Sequence, residues 1–294
     1  MPSQILKGFF LAIIAAVFWG VSGTFAQFLF QQRGVNVDWL ITLRMLISGS
    51  ILLLIATFIE KCNLWSIWKN KRDALQLLVF SFTGMLAVQY TYFAAIKHSN
   101  AATATVLQYV GPVIIAVYLA FKYKRIPKPI EFTAIALAIL GTFLLVTHGD
   151  IDSLTISGMA LFFGIASAVS LAVYTLQPIR LLAKYKSSLI IGWGMLLGGM
   201  GFILIKAPVS IEGIWDIQAY FYTAFIVLFG TLIAFYAYLT AVKIIGGQKT
   251  SLLASAEPLS ATIMAVLWLN VSFSGMDWLG SFCIVSTIYL LSRK

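Results

Sequence analysis

Of the ten acidic residues in this 294-residue chain, Glu257 alone falls inside an apolar run; every Asp, and Glu60, Glu131 and Glu212, lie in polar breaks or at the ends of such runs. A lone carboxyl in apolar surroundings needs a reason. It serves either as a neutral hydrogen-bond donor to a neighbouring segment or as a proton carrier whose titration drives another movement. Arg44 is the only basic residue well inside a run, where it either draws a solute carboxylate or holds helices and carbonyls together. Pro112 and Pro258 each sit about halfway along a run. Proline removes a backbone donor and clashes with the carbonyl four residues back, so each either breaks a helix beside a binding site or merely kinks it. Trp19, Gln89, Tyr90, Tyr92, Gln108, Tyr109, Tyr174, Trp193, Tyr236 and Tyr238 add polar tips on apolar bodies. Singly each suits helix packing; as a set they suit a cavity for a small amphipathic solute.

Enzyme chemistry finds no such support. His98 and His148 have no Cys or acid at ligand spacing, Cys62 and Cys283 frame no disulfide, and no serine elbow, phosphate loop or zinc motif occurs. The reading is no enzyme, no metal and no cofactor.

The elements that position these groups follow from composition. A chain that is 61% hydrophobic and 10% charged cannot cover itself with groups that water accepts, so its solvent is lipid. A hydrocarbon core about 30 Å thick needs about 20 apolar residues per helix. Ten stretches qualify, near 8–30, 39–59, 75–96, 101–121, 130–147, 157–177, 187–205, 219–241, 250–269 and 276–291, the fifth, seventh and tenth being short. The runs lack the alternation of a membrane barrel. The first, Gly8 to Phe30, is too long for a signal peptide and has no cleavage site after it, so it reads as a retained helix.

The chain also repeats itself. Gly84, Tyr90, Tyr92, Lys97 and Pro112 meet Gly230, Tyr236, Tyr238, Lys243 and Pro258 in a gapless register shifted by 146, and a second register, shifted by 150, sets Gln27, Met45 and Gly49 against Gln177, Met195 and Gly199. Duplicated halves mark a membrane transporter. The expected fold is an all-α membrane protein: ten transmembrane helices as two inverted five-helix repeats, 1–149 and 150–294, around a central cavity. The boundary falls in the His148 to Ile156 link.

The formal charge of +10 raises the question of nucleic acid, and its distribution answers it. With alternating sides, sixteen basic residues gather on one face: Lys7, Lys61, Lys69, Lys71, Arg72, Lys122, Lys124, Arg125, Lys128, Arg180, Lys184, Lys186, Lys243, Lys249, Arg293 and Lys294. Arg33, Lys97 and Lys206 take the other. Positive loops stay cytoplasmic, which places both termini inside the cell and makes anionic lipid the partner of this charge, with no nucleic acid. The loops are too short for a soluble domain; the longest, Glu60 to Asp73, carries Trp65 and Trp68 and suits the cytoplasmic interface.

Depth follows from the same frame. Arg44 lies six residues after Asp38, about 9 Å from the outer boundary, within snorkelling range. Glu257 lies eight residues after Lys249, about 12 Å from the inner one. In a core about 30 Å thick the two differ by roughly 9 Å in depth, too far for a direct ion pair.

The stretch QYTYFAAIKHSNAATATVLQYVGP from Gln89 to Pro112, its counterpart ending in Ala256-Glu257-Pro258, Trp19-Gly20, and Leu43-Arg44-Met45 resemble the EamA branch of the drug/metabolite transporter superfamily. The resemblance implies a basket of helices around a substrate cavity and export of amino acids or related metabolites. It departs where many members carry a Glu after the fourth and ninth helices: this chain has Phe121-Lys122-Tyr123-Lys124 and Leu269-Asn270-Val271-Ser272. The expected activity is secondary transport by alternating access at the cell membrane, with a small solute, lipids and possible protons as partners. Oligomeric state stays open, a monomer included. A passive channel or receptor-like scaffold is the other class. A channel would repeat its charges around a ring, whereas here Gly111 opposes Glu257 and Gly194 opposes Arg44, which suits one asymmetric site.

Overall fold

The computed structural model describes residues 2–99, 101–124, 126, 128–150, 152, 157–206, 211–269 and 274–292. Among these residues there are helices and no strands: α1 (Pro2–Gln32), α2 (Val37–Leu54), α3 (Lys71–Val79), α4 (Ala87–His98), α5 (Ala101–Gln108), α6 (Gly111–Tyr123), α7 (Pro129–Thr147), α8 (Gly158–Leu176), α9 (Ile179–Lys184), α10 (Ser187–Lys206), α11 (Ile217–Val227), α12 (Ala234–Ile245), α13 (Gly247–Leu253), α14 (Ala256–Leu269) and α15 (Gly275–Ser292). Backbone polar groups in lipid must be satisfied within their own segment, which selects helices for runs this apolar. Seven helical segments are long and apolar enough to cross a membrane: Gln4–Gln32, Val37–Ile59, Lys71–His98, Thr103–Tyr123, Gly158–Lys184, Ser187–Lys206 and Ile217–Ile245. Pro129–Leu144 and Gly275–Leu290 are shorter apolar helices. The seventh stretch, expected short, is a full 20 residues, Ser187–Lys206. The ninth is shorter than expected, because it divides into α13 and α14. Most of the His148 to Ile156 link lies outside the described residues, as do Asn270, Val271 and Ser272.

Side-chain caps start several helices. Asn36 accepts from the N–H groups of Asp38 and Trp39, and Ser157 accepts from Ala160 N–H. Asn70 caps α3 and Asp216 caps α11 at positions one repeat apart. Each satisfies backbone donors that the first turn leaves orphaned.

Two irregularities recur in both halves. The α3–α4 rod passes through a π-helical segment, Phe80–Leu86, and the α11–α12 rod through another, Leu228–Ile233. A wider turn leaves carbonyls free for other partners. The second irregularity is a full break. Helix α5 ends at Gln108 and α6 begins at Gly111; α13 ends at Leu253 and α14 begins at Ala256. Pro112 and Pro258 follow these breaks by one or two residues and withhold the N–H that Gln108 and Ala254 carbonyls would otherwise accept.

Packing is reciprocal: α1 lies on α12 and α14, α8 lies on α4, α5 and α6, and α2 pairs with α10 as α7 pairs with α15. Glycine permits the closest of these approaches. A Cβ at Gly49 of α2 would lie 2.8 Å from the Leu196 backbone nitrogen of α10, and one at Gly20 of α1 would collide with Ser260 Oγ and the Glu257 carbonyl of α14. Helix α14 therefore presses its first turn, which carries Glu257, onto the middle of α1.

Candidate solute-binding site

The Glu257 side chain is buried and opens from the first turn of α14. A helix start favours negative charge, a dipole effect within the first turn. The Tyr92 hydroxyl of α4 donates to Glu257 Oε1 at 3.1 Å and shares a second hydrogen bond with Thr105 Oγ1 of α5 at 2.9 Å. The chain Thr105–Tyr92–Glu257 thus joins α4, α5 and α14 at one carboxyl.

Arg44 arrives from α2 and is 3% exposed, so it turns into the bundle and does not snorkel. Its Nε donates to Thr231 Oγ1 at 2.7 Å and its Nη2 to the Gly230 carbonyl at 3.4 Å. Both acceptors lie in the Leu228–Ile233 π turn, where Thr231 Oγ1 also donates to the Ile226 carbonyl at 2.7 Å. The guanidinium stacks over Phe93 at 4.4 Å from the ring centroid, with Phe235 at 5.9 Å. A desolvated cation on an aromatic face gains about 2 kcal/mol, which helps hold Arg44 away from water. Arg44 and Glu257 bind different partners, and Tyr92 lines the same cavity as both.

These groups enclose one cavity. Its walls are Trp19, Ser22 and Gly23 of α1, Arg44 of α2, Val88, Gln89, Tyr92 and Phe93 of α4, Gln108 of α5, Leu171 and Tyr174 of α8, Phe235 of α12 and Glu257 of α14. The space inside is about 40 Å³, room for roughly two or three water molecules. Trp19 Nε1 and Gln89 Oε1 are buried here without hydrogen-bond partners. An orphaned buried donor and acceptor each cost about 1–3 kcal/mol, so both are free to reward a ligand that meets them.

The profile of the EamA-like transporter family matches residues 6–147 and again 158–293. The chain belongs to the EamA-like transporter family. It is 43% identical over 290 residues to the uncharacterized inner membrane transporter YicL of Salmonella typhimurium, covering 97% of this chain and 95% of that one. It is 25% identical to the uncharacterized transporter YetK of Bacillus subtilis, covering 86% of this chain and 77% of that one. A solved crystal structure shares the fold at a TM-score of 0.76, with 18% identity over 98% of this chain and 96% of its own. Family membership makes this chain a membrane transporter and not an enzyme.

Within this family member, the residues expected at the cavity separate into two groups. Trp19, Arg44, Gln89, Tyr92, Gln108, Tyr174 and Glu257 line it. Tyr109, Tyr238, Tyr90, Tyr236 and Trp193 lie elsewhere. Tyr109 sits behind the wall, where its hydroxyl donates to the Ala254 carbonyl, the same carbonyl that Pro258 leaves without its usual i+4 donor. Tyr238 also backs the wall, hydrogen-bonded to Thr175 at 2.9 Å and 5.0 Å from the Trp19 ring. Tyr90 packs between Phe163 and Phe202. Tyr236 turns toward Glu60 near the basic end. Trp193 packs against Trp65 and Trp68 and donates to the Leu64 carbonyl at 3.1 Å. Pro112 and Pro258 adjoin the cavity through Gln108 and Glu257 without lining it. The apolar walls Val88, Phe93, Leu171 and Phe235 had no polar tip to mark them in the sequence, whereas Ser22 and Gly23 are visible there as small residues.

Above and below the cavity, polar clusters tie the two halves together. At the basic end Asp73, 1% exposed, receives Arg180 at 2.5 Å, Lys184 at 3.0 Å and the Tyr185 hydroxyl at 3.1 Å. Burial, and then the hydrogen bond to Asp73, push the Tyr185 hydroxyl above its usual pKa. Gln76 and Gln177 exchange side-chain donors for each other's backbone carbonyls at 2.7 and 2.8 Å. At the opposite end Arg33 bonds Asp216 at 2.9 Å and Gln218 at 3.2 Å, while Asn36 bonds Glu212 at 3.1 Å. The Ala219 N–H holds the Asp216 carboxyl below its usual range; burial opposes it, and the hydrogen bond and charge of Arg33 add to the lowering.

Proposed function

We propose that the protein is a ten-helix secondary transporter of the bacterial inner membrane type, built as two inverted five-helix repeats, that exports amino acids or related amphipathic metabolites by alternating access. The observation that carries this reading is the convergence of a carboxyl, a guanidinium and two unpartnered polar atoms on one cavity between the halves. A zwitterionic solute meets all of them: its carboxylate approaches the remaining N–H groups of Arg44, its ammonium approaches Glu257, and Trp19 and Gln89 offer one donor and one acceptor. Glu257 then holds either a proton or the solute ammonium, and that exclusivity couples the two fluxes. Tyr92 suits both states, since its hydroxyl donates to a carboxylate and accepts from a carboxylic acid.

A cavity of about 40 Å³ is smaller than the roughly 300 Å³ or more that solute pockets occupy, so binding requires the halves to part. The polar clusters at the two ends are the natural gates, one opening while the other stays closed. The reciprocal packing of α1 on α12 and α8 on α4 supports the inverted repeat, as do the two separate family matches. The bias of basic residues supports cytoplasmic termini, and the name of the Salmonella relative supports the inner membrane.

The test is accumulation of labelled amino acids in proteoliposomes, assayed one at a time under an imposed pH gradient and without one. Uphill accumulation of at least one, abolished by collapsing the gradient, is the expected result. Flux that only equilibrates concentrations supports a channel, and absence of flux for the whole panel refutes the substrate class.

A further inference from the structure

We propose that Thr231 is a positioning residue for solute recognition: it fixes which edge of the Arg44 guanidinium meets the solute, and so sets the preference for a carboxylate. The proposal rests on the reading of a zwitterionic solute. Thr231 is buried in the π turn between α11 and α12 and does not line the cavity, so it reaches the solute only through Arg44. A guanidinium carries five N–H donors in one rigid plane. Nε donates to Thr231 Oγ1 at 2.7 Å and Nη2 to the Gly230 carbonyl at 3.4 Å, so the edge made by these two atoms is turned into the protein. The donors left over, on Nη1 and the second hydrogen of Nη2, form the end that a carboxylate takes with two parallel bonds. The Phe93 ring, its centroid 4.4 Å from the guanidinium carbon, fixes the plane. Thr231 is committed to accepting, because its own proton goes to the Ile226 carbonyl at 2.7 Å.

The duplicated frame shows that packing alone does not require this pair. Thr231 corresponds to Met85 in the register shifted by 146, and Arg44 to Gly194 in the register shifted by 150. The counterparts also meet: a Cβ at Gly194 would lie 3.8 Å from the Met85 Cβ and 2.9 Å from the Phe80 ring. One turn further along, the correspondence repeats. Ser48 Oγ donates to the Val227 carbonyl at 3.0 Å, and a Cβ at its counterpart Gly198 would lie 2.9 Å from the carbonyl of Ser81, the counterpart of Val227. The same seat of a helix on a widened turn is thus built twice, once from Gly, Met and Phe and once with a guanidinium held by a hydroxyl. The seat needs no arginine. An arginine that serves the cavity needs an acceptor to aim it, and Thr231 is that acceptor.

Competition in proteoliposomes tests the proposal, with a labelled amino acid that wild type accumulates and, as unlabelled competitors, the same amino acid and its α-carboxamide. The amide keeps the ammonium and the side chain and removes only the charge that Arg44 meets. Wild type should favour the acid by about tenfold, the difference between a charged and a neutral acceptor. Thr231→Val keeps the shape and removes the acceptor: KM for the acid should rise about tenfold with kcat near wild type, and the preference for acid over amide should fall below about twofold. Thr231→Ser keeps the hydroxyl and should restore both. Ser48→Ala loosens the same turn without removing a partner of the guanidinium, so it should keep the preference whatever its rate. Each preference is a ratio within one preparation, so a lower yield of folded variant cancels; where Thr231→Val carries no flux, the ratio is read from protection of the purified variant against thermal unfolding by acid and by amide. A preference that survives Thr231→Val overturns the proposal and leaves the zwitterion reading standing, and so does a preference that collapses equally in Ser48→Ala. Wild type that accumulates no amino acid, or that takes acid and amide equally, refutes the zwitterion reading and this proposal with it.

Discussion

Replacing Glu257 by Gln separates the coupling role of this side chain from a structural one, because the two roles predict effects of different size. Gln keeps the shape and one acceptor for the Tyr92 hydroxyl, now at 3.1 Å from Glu257 Oε1. A hydrogen bond to a charged group contributes about 1.5–3 kcal/mol and one between neutral groups about 0.5–1.5, so the exchange weakens this contact by about 1 kcal/mol. The solute ammonium meets an amide oxygen in place of a carboxylate with a loss of the same order, and about 1 kcal/mol is roughly a fivefold change in solute affinity. The lost titration is absolute, since an amide takes up no proton at any accessible pH. In proteoliposomes loaded with unlabelled amino acid, one-for-one exchange of label should therefore stay within about tenfold of wild type, while accumulation driven by a pH gradient should fall to the empty-liposome level. The two assays share protein, vesicles and solute, so poor insertion would lower both together. PH-driven accumulation that persists in Glu257→Gln refutes the coupling argument outright. Loss of both activities in a well-folded variant leaves Glu257 its role in holding the solute ammonium and removes the evidence for coupling.

Pro258→Ala restores a backbone donor toward the Ala254 carbonyl in the first turn of α14, where proline itself carries little penalty; the variant should melt at or slightly above the wild-type temperature in detergent yet transport more slowly. Gly20→Ala drives a methyl into Ser260 Oγ and the Glu257 carbonyl, and should lower stability by about 1–3 kcal/mol, read as a drop in melting temperature, with loss of flux. The Asp216 carboxyl is depressed below its ordinary value of 3.8, so its bond to Arg33 is complete at neutral pH and is lost as the pH falls through that depressed value. Acid should thus open this end, measured as faster labelling of a cysteine at Val35, which is buried there, and Asp216→Asn should show that faster labelling already at neutral pH. Cysteines at Lys69 and at Ile211, both exposed, should react with impermeant reagent from opposite sides of the membrane, Lys69 from the cytoplasm; reaction from one side refutes the assigned topology.

Glu257 and Arg44 were legible because a charge in an apolar run has no other explanation than a partner or a task, and both line the cavity. The paired tyrosines were only half legible. Tyr90 and Tyr92 are two positions apart on a helix, about 200° around its axis, so one facing the cavity turns the other away. Tyr236 and Tyr238 diverge in the same way, but Tyr238 only backs the cavity wall and Tyr236 turns to the basic end; the sequence repeat marks both members of each pair without saying which face matters. The place of Trp193 in an apolar run suits a cavity wall, but its contacts with Trp65 and Trp68 belong to the loop beyond the helix end, a long-range pairing with no local signature. The π turns were not legible at all. Gly84 and Gly230 lie within them, yet nothing in the residue types of Phe80–Leu86 or Leu228–Ile233 distinguishes a widened turn from an ordinary one.

Those π turns show how a duplicated frame acquires a single binding site. Each widened turn faces the second helix of its register: Leu228–Ile233 faces Arg44 on α2, and Phe80–Leu86 faces Gly194 and Gly198 on α10, the former being the repeat counterpart of Arg44. In the second half the widened turn supplies a hydroxyl and a carbonyl to a guanidinium. In the first half a Cβ at Gly194 would lie 2.9 Å from the Phe80 ring, so the equivalent space is filled by aromatic packing and admits no arginine. The proline breaks follow the same logic. Both halves open a helix one or two residues before a proline, but only the second carries a carboxyl there, with Gly111 in its place in the first. Gly111 has its own reason, since a Cβ would press to 3.1 Å from Leu171 and 3.2 Å from the Ala168 carbonyl of α8. The backbone device is thus present twice and the chemistry once. The repeats give the two halves matching shapes for rocking, and their divergence concentrates charge on one path through the middle.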